Sequence, residues 1–148
     1  MIRNDGKIHV ASRSNTTALN IVGIQTADVN HEFYGQIGGY GRESGHMIWP
    51  SALALDSTDN LYLADDLLQR ITVWTRDGDL ITHWGIQGQR DGEFDGPSGI
   101  MFDVDDNMLL VDHRNNRIQR FTKDGQFIST WGSQGNGDGE FNLPWGIT

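Results

Sequence analysis

The sequence predicts an all-β fold built from repeated four-stranded antiparallel sheets. Two observations carry this prediction: an internal repeat of 47 residues, and short apolar runs with the period of strands inside each repeat. The three prolines, Pro50, Pro97 and Pro144, are separated by 47 residues in both intervals (97 − 50 and 144 − 97). Residues 50–96 align with residues 97–143 without a gap, and 21 of the 47 aligned pairs are identical.

Each complete repeat is predicted to contain four short strands. The predicted strands are 51–56, 61–65, 70–75 and 80–85 in the first complete repeat, and 98–103, 108–112, 117–122 and 127–132 in the second. Asp-Gly pairs at 77–78 and 124–125 separate alternating runs, which is the strongest short-range signal of a β-hairpin. No segment has the length that a helix needs, so the prediction is all-β.

Residues 1–49 are predicted to be a divergent copy of the same unit. The segment "KIHVAS" at 7–12 matches "NLYLAD" at 60–65 with an offset of 53 residues, whereas glycines further along the unit keep the offset of 47, as Gly38, Gly41 and Gly45 do with Gly85, Gly88 and Gly92. About six extra residues are therefore expected in "RSNTTAL" (13–19). This unit lacks a first strand, and "LPWGIT" at 143–148 has the sequence of a first strand without its followers.

Four antiparallel strands repeated every 40–50 residues are typical of β-propeller blades. The motifs "GxxGxxDGEFxxPxGI", "DNxxLxD" and "NNRIQRFTKDGQFISTWG" resemble those of the NHL-repeat family. The resemblance implies a β-propeller with four-stranded NHL-type blades, three blades per chain. Blade 1 would hold strands b to d within 1–49, blade 2 would be 50–96 and blade 3 would be 97–143, with 144–148 as the first strand of a further blade.

Three such blades form only half of a six-bladed ring, because each blade of that ring turns it by about 60°. An isolated half-ring would expose two apolar blade faces and an unpaired strand edge, which both favour association. We therefore expect a homodimer that closes one six-bladed ring, in which 144–148 of each chain completes blade 1 of its partner. The alternative is that the sequence is a piece of a longer single-chain propeller.

The charge and composition exclude several partners. The formal net charge is −9, from 11 Lys and Arg against 20 Asp and Glu, which would repel a phosphate backbone, so no nucleic-acid partner is expected. The chain contains no cysteine, so it has neither disulfides nor thiol chemistry. No apolar stretch approaches the ~18 residues of a membrane span, and residues 1–10 do not read as a signal peptide, so a soluble protein without a membrane partner is expected.

Two pairs of residues are predicted to be structural. Asp65 with Arg70 and Asp112 with Arg117 recur five residues apart across the turn between the second and third strands. In blades that resemble this family such a pair ties these two strands together, and a buried pair of this kind is costly to break. The tryptophans that end the fourth strands, Trp84 and Trp131, are expected to pack between blades.

A ligand site is expected where the connections between blades and the second-to-third-strand turns meet, because in a propeller both lie around one mouth of the channel. The residues predicted at this mouth are His46, Trp49, Ser51, Asp66, Glu93, Asp95, Ser98, His113, Arg114 and Trp145. No motif supplies a catalytic set, which favours a non-catalytic binding or protein-interaction scaffold. The alternative is a metal-dependent hydrolase or lyase, with Glu93, Asp95, His46 and His113 as ligands or bases.

No metal site or cofactor is predicted from motifs, although the hydrolase alternative would place a divalent cation in the channel. The histidines lack a ligand spacing such as HxxxH. The segment "DVDDNMLLVDHR" (103–114) lacks the glycine and the glutamate of a calcium loop. The peptide-amidating lyases, which resemble this family, have zinc histidines after the first-strand proline, where this chain has Ser51, Ser98 and Trp145.

Overall fold

The chain forms antiparallel β-sheets that follow one another in sequence. The computed structural model describes residues 8–12, 23–27, 30 and 33–148. In order along the chain, the strands are β1 (Ile8–Ser12), β2 (Gly23–Ala27), β3 (Phe33–Ile37), β4 (Pro50–Leu55), β5 (Leu61–Asp65), β6 (Arg70–Trp74), β7 (Leu80–Trp84), β8 (Pro97–Phe102), β9 (Met108–Asp112), β10 (Arg117–Phe121) and β11 (Phe127–Trp131).

Each sheet is an up-and-down meander in which neighbours in sequence are neighbours in space. The strand orders are β1-β2-β3, β4-β5-β6-β7 and β8-β9-β10-β11, and we call these sheets 1, 2 and 3. The strands predicted in the two complete repeats are confirmed, with β5 and β9 at the predicted bounds and the others within one residue at either end. A short 3-10 helix, His113–Asn115, forms the turn between β9 and β10.

Sheet 1 follows the repeat, as the divergent copy predicts. Strands β2 and β3 begin 47 residues before β6 and β7 (70 − 23 and 80 − 33), and β1 begins 53 residues before β5 (61 − 8). Within the described residues, sheet 1 therefore has counterparts of the second, third and fourth strands of the other sheets. The extra segment that the sequence predicts at 13–19 lies outside the described residues.

The hairpins between the third and fourth strands depend on glycine at one position. Gly78 has φ of 94° and its equivalent Gly125 has φ of 84°, a left-handed backbone that favours glycine. The amide of Gly78 donates to the carbonyl of Thr75 at 3.0 Å, and the register shifts by one residue between Val73 and Trp74. A β-bulge of this kind strengthens the local twist of the sheet. The Asp-Gly hairpins predicted from the sequence are thus present.

Apolar side chains fill the spaces between consecutive sheets. Between sheets 1 and 2 the buried residues are Ile24, Met47, Leu61, Leu63 and Trp74. Between sheets 2 and 3 they are Ala54, Tyr62, Ala64, Ile71, Val73, Phe94, Ile100, Met108, Leu110 and Phe121. Every residue of β5 and β6 is buried, because sheet 2 is covered on both faces. The outer strands β7 and β11 are largely exposed.

The first strands of sheets 2 and 3, β4 and β8, are joined by a side-chain hydrogen bond. An equivalent hydrogen bond joins β8 to residues 144–148. The hydroxyl of Ser51 donates to the carbonyl of Pro97 at 2.5 Å, and the hydroxyl of Ser98 donates to the carbonyl of Pro144 at 3.3 Å. These two contacts are one repeat apart. Residues 144–148 therefore lie beside β8 as β8 lies beside β4, although in this single chain they form no strand.

Candidate functional site

Three loops meet at one end of sheets 2 and 3. They are the β5–β6 turn with Asp66, the β7–β8 connection with Asp95, and the β9–β10 turn with Arg114. The Arg114 guanidinium contacts both carboxylates, so the connection between sheets and the second-to-third-strand turns share one face, as the sequence analysis expected.

The contact between Arg114 and Asp66 is bidentate. Arg114 Nη1 lies 2.7 Å from Asp66 Oδ1, and Nη2 lies 3.1 Å from Asp66 Oδ2. Nη1 also donates to Asp95 Oδ1 at 3.1 Å. The hydrogen bond that the guanidinium donates to Asp66 is the largest influence on it and raises the pKa of Arg114. Because the side chain is half exposed, the bridge contributes at most about 1 kcal/mol to stability, but it fixes the two sheets at this edge.

A cleft of about 360 Å³ opens between these loops. Its lining residues are Trp49, Asp66, Leu67, Gln69, Gln87, Asp95 and Arg114. The volume lies within the range of small-ligand sites in proteins. Trp49 and Leu67 are 44% and 42% exposed, so the cleft has an apolar wall open to solvent beside its charged wall.

The repeat explains why the Arg114 bridge forms at the junction between sheets 2 and 3. Arg114 occupies the position that Leu67 has one repeat earlier, and Gly96 occupies the position of Trp49. A Cβ atom at residue 96 would collide with the guanidinium of Arg114. Glycine at 96 therefore makes room for arginine at 114, whereas the preceding junction has a tryptophan and a leucine.

The cleft includes residues that the sequence analysis missed. Leu67, Gln69 and Gln87 line it but carry no motif. The Gln69 amide accepts from the backbone N–H of Gly96 at 2.9 Å and donates to the carbonyl of Asp66. The available signal was the apolar pair Leu67-Leu68 in the β5–β6 turn, of which Leu67 is 42% exposed at the predicted mouth.

The predicted Asp–Arg pairs lie in the sheets under this mouth. Asp112 and Arg117 are paired in the register of β9 and β10, and Arg117 Nε lies 2.7 Å from Asp112 Oδ2. Asp65 and Arg70 are paired in the same register of β5 and β6. Arg70 Nε has no hydrogen-bond partner among the described residues, so a direct side-chain tie between Asp65 and Arg70 stays a prediction. Each arginine also donates to backbone carbonyls of the connection that enters its sheet.

The buried carboxylates also organise the loops of the mouth. The Asp65 carboxylate accepts from the backbone N–H groups of Ile48 at 2.6 Å and Leu68 at 2.9 Å. The Asp112 carboxylate accepts from the backbone N–H of Asp95 at 2.7 Å. Because both carboxylates are fully buried, these hydrogen bonds offset the cost of their burial and hold the connections in place.

Four residues predicted at the mouth have surroundings other than the cleft. Glu93 accepts from the backbone N–H of Arg90 at 3.1 Å and pairs with its guanidinium at 3.0 Å. Ser51 and Ser98 use their hydroxyls on backbone carbonyls, as described above. His46 packs its ring near Gly39 and Gly41. These four residues do not line the cleft around Arg114.

His113 contacts Pro144 and Trp145. Its Nδ1 lies 2.9 Å from the carbonyl oxygen of Pro144. Its ring meets that of Trp145 edge to face, with centroids 5.0 Å apart. Trp145 remains 61% exposed. His113 therefore positions residues 144–148 against sheet 3.

The tryptophans expected between blades differ in their surroundings. Trp84 packs against Phe94 and Phe121 between sheets 2 and 3, at centroid distances of 6.0 and 5.0 Å. Trp131, one repeat later, is 42% exposed. Trp84 thus packs between sheets 2 and 3, and the packing role expected for Trp131 stays a prediction.

Among the residues that the structure describes, no group of three or more His, Cys, Asp or Glu side chains could hold a metal ion. The described residues include no helix long and apolar enough to span a membrane.

Comparison with known proteins identifies similar solved structures. No protein-family model and no curated protein matches the chain. A catalytically inactive virginiamycin B lyase from Staphylococcus aureus with quinupristin is 21% identical, with a TM-score of 0.68 over 99% of this chain and 43% of that chain. A streptogramin B lyase is 17% identical, with a TM-score of 0.57 over 74% of this chain and 33% of that one. Kuenenia stuttgartiensis hydrazine synthase is 15% identical, with a TM-score of 0.60 over 84% of this chain and 32% of that one.

These similarities identify the fold. The neighbours are β-propeller proteins, and the sheets of this chain superpose on theirs, so the chain has the all-β fold of a propeller. At these identities the likeness concerns the fold alone. The chain spans between about a third and less than half of the length of each of the three proteins.

Proposed function

We propose that this chain is a half-ring of NHL-type blades that pairs with a second copy to form a six-bladed propeller, and that the ring is a non-catalytic scaffold that binds a ligand at its mouth. The fold supports the propeller architecture, and the 47-residue repeat supports blades of the NHL type. Sheets 1, 2 and 3 are the three blades contributed by each chain.

The observation that carries the assembly is the unequal burial of equivalent residues. Phe94 is completely buried against sheet 3, whereas Phe141, one repeat later, is only partly buried. Trp84 packs against the same core, whereas Trp131 is exposed. Leu143 and Trp145, which follow sheet 3, add further exposed apolar surface. The uncovered face of sheet 3 resembles the face of sheet 2 that sheet 3 covers. Another blade of the same repeat would therefore fit against it.

The first sheet offers the matching edge for a second copy. Strand β1 is the edge strand of sheet 1 and is equivalent to β5 and β9. In sheets 2 and 3, β5 and β9 each pair with a first strand, β4 or β8. Residues 144–148 lie beside β8 in the position of the next innermost strand. Exchange of this segment between two copies would give each sheet 1 its fourth strand and pair an otherwise open edge.

The cleft around Arg114 supports binding rather than catalysis. Its ionisable side chains are Asp66, Asp95 and Arg114, which are tied to one another by three hydrogen bonds. Of the side chains that a hydrolase would use, Glu93 is engaged with Arg90 and His113 with Pro144. Ionisable groups that are already paired within the protein suit recognition of a ligand's shape and charge more than concerted acid–base chemistry.

A metal-dependent hydrolase or lyase with its site in the channel is the second candidate. It is favoured by one observation, that the similar folds include virginiamycin B lyase and streptogramin B lyase. His46, Glu93, Asp95 and His113 would have to converge in the closed ring. Elemental analysis of protein purified without chelators separates the candidates, because a stoichiometric divalent ion is expected only for the metal-dependent enzyme.

The assembly is tested by the mass of the protein in solution, and the binding function by ligand probes on the cleft. An obligate interface of this kind should bury upwards of ~2,000 Å² in total. Substituting Trp131 by Ser, a polar residue, should weaken association because the indole would be buried in the ring. The matched change at Ile86, an exposed residue of the β7–β8 connection, should leave the mass unchanged.

A further inference from the structure

We infer that the cleft around Arg114 takes a cationic group, an ammonium or a guanidinium, as its ligand. This inference rests on the proposed binding function and adds the chemical class of the ligand. The cleft offers a carboxylate with an uncommitted oxygen, an exposed indole and an apolar wall, which together match a cation on a methylene stem.

The charge of the lining favours a cation. The seven lining residues include two carboxylates, Asp66 and Asp95, and one guanidinium, Arg114, so the cleft carries a net charge of −1. Arg114 directs Nη1 and Nη2 to the carboxylates, which leaves it poorly placed to recognise an anion. The whole chain carries −9, and its field adds to the attraction of cations.

Asp95 supplies the oxygen for a direct contact. Its Oδ1 accepts from Arg114, while its Oδ2 has no hydrogen-bond partner within the described part of the chain. The Asp95 side chain lines the cleft and is 29% exposed, so its carboxylate can be reached from the cleft. The backbone N–H of Asp95 is held by the buried Asp112 carboxylate at 2.7 Å, which fixes the loop that presents this oxygen.

Trp49 and Leu67 supply the rest of the recognition. A tryptophan face is the most favourable aromatic partner of an ammonium or guanidinium, within about 6 Å of the ring. Leu67 lies on the same cleft and is exposed to a similar degree, so it can cover the methylene groups of a lysine-like or arginine-like stem. A cation of this shape would replace water on both the apolar and the charged wall.

Small capped amino acids test the inference on the intact protein. The probes are the N-acetyl amides of lysine and arginine as cations, of norleucine as the neutral analogue of lysine, and of glutamate as the anion. We expect the cationic probes to bind at least about tenfold more tightly than norleucine, with affinity that falls as salt is added. Calorimetry gives the affinity, and the indole N–H signal of Trp49 in NMR reports the place.

Variants tie the binding to the cleft. Asp95→Asn and Trp49→Leu should each weaken the cationic probes by about tenfold, whereas Trp49→Phe should retain most of the affinity because it keeps an aromatic face. Asp124→Asn removes the same charge from the opposite end of sheet 3 and should leave binding unchanged. A hexalysine peptide separates the two sources of the cation: much tighter binding than the single residue indicates a basic peptide, and equal binding indicates a small amine.

The outcomes distinguish failure of the inference from failure of the proposed function. Equal or tighter binding of norleucine or glutamate, lost in Trp49→Leu, would overturn the cationic ligand and leave a ligand site at the cleft. Absence of binding by every probe, with the ring intact by mass, would overturn both. A cationic probe that binds equally to the wild type, Asp95→Asn and Trp49→Leu would place the cation elsewhere and reject the inference.

Discussion

Phe94 and Phe141 lie 47 residues apart at equivalent positions, yet only Phe94 is completely buried. Phe94 contacts Phe121 of sheet 3 at a centroid distance of 6.5 Å, edge to face. Phe141 lies against Gly132, which follows β11, and no sheet formed by the described residues covers it further. The difference defines the surface on which the proposed second copy would sit.

Replacing these phenylalanines should therefore affect different equilibria. Phe94→Ala removes a buried ring between sheets 2 and 3 and should lower the free energy of unfolding by about 3–5 kcal/mol. Phe141→Ala should mainly raise the dimer dissociation constant, because its ring is buried fully only in the ring-shaped dimer. Urea unfolding measures the first effect, and the concentration dependence of the mass measures the second. An unchanged dissociation constant in Phe141→Ala would argue against this face as the interface.

Thr72 and Gln119 are a second pair of equivalent residues. Exchanging their identities should change the free energy of unfolding in opposite directions. Gln119 is buried, and its amide accepts from Gly92 N–H at 3.0 Å and donates to the Glu93 carbonyl at 2.7 Å. Gln119→Thr leaves those groups unsatisfied and should cost about 1–3 kcal/mol of unfolding free energy.

The converse substitution should stabilise the protein. Thr72 is buried and its hydroxyl has no partner among the described residues. In Thr72→Gln the amide can reach Gly45 N–H and the His46 carbonyl, the equivalents of the groups that Gln119 binds. We expect a gain of about 1 kcal/mol in urea unfolding. A loss of stability instead would mean that the space beside Thr72 is too small for glutamine.

Acid should weaken the fold partly through Asp106, at the end of the sheets opposite the mouth. Hydrogen bonds from Lys123 and Ser57 lower the pKa of Asp106 below its ordinary value of 3.8. The unfolded carboxyl then binds a proton at a higher pH than the folded one. The contribution of Asp106 to stability is therefore present above about pH 4 and is lost as the pH falls through its lowered pKa.

Two variants test this dependence. Asp106→Asn should reduce the slope of unfolding free energy against pH below pH 4 and leave the slope between pH 5 and 8 unchanged. Lys123→Met removes the largest cause of the shift and should reduce the same slope in part. Chemical unfolding at a series of pH values gives both slopes. Identical acid slopes in wild type and Asp106→Asn would show that the carboxyl does not carry this contribution.

The repeat made most of the fold predictable. A period of 47 residues and alternating runs located each strand of sheets 2 and 3 within a residue, because turn chemistry and strand patterning agree at every step. The offset of 53 at "KIHVAS" also located β1 in a divergent unit. Local patterns of this kind are read from neighbours in sequence, which is why they succeeded.

The site was predictable only in part. Topology predicted one mouth for Trp49, Asp66, Asp95 and Arg114. In a propeller, the connections between blades and the turns between second and third strands lie on one face. The bridge of Arg114 to both carboxylates depends on the absence of a side chain at Gly96. The closeness of residues 96 and 114 in space cannot be read from their spacing in the sequence. The Arg90 contacts of Glu93 within its own loop were likewise not apparent from spacing, and the place of Glu93 in a ligand site stays a prediction.

The most direct test of the account is the mass of the chain in solution by sedimentation velocity across nanomolar to micromolar concentrations. A stable dimer of twice the chain mass of 16.5 kDa, weakened by Phe141→Ala and Trp131→Ser, is the result expected for a ring closed by two copies. A folded monomer of 16.5 kDa at micromolar concentration would contradict the account.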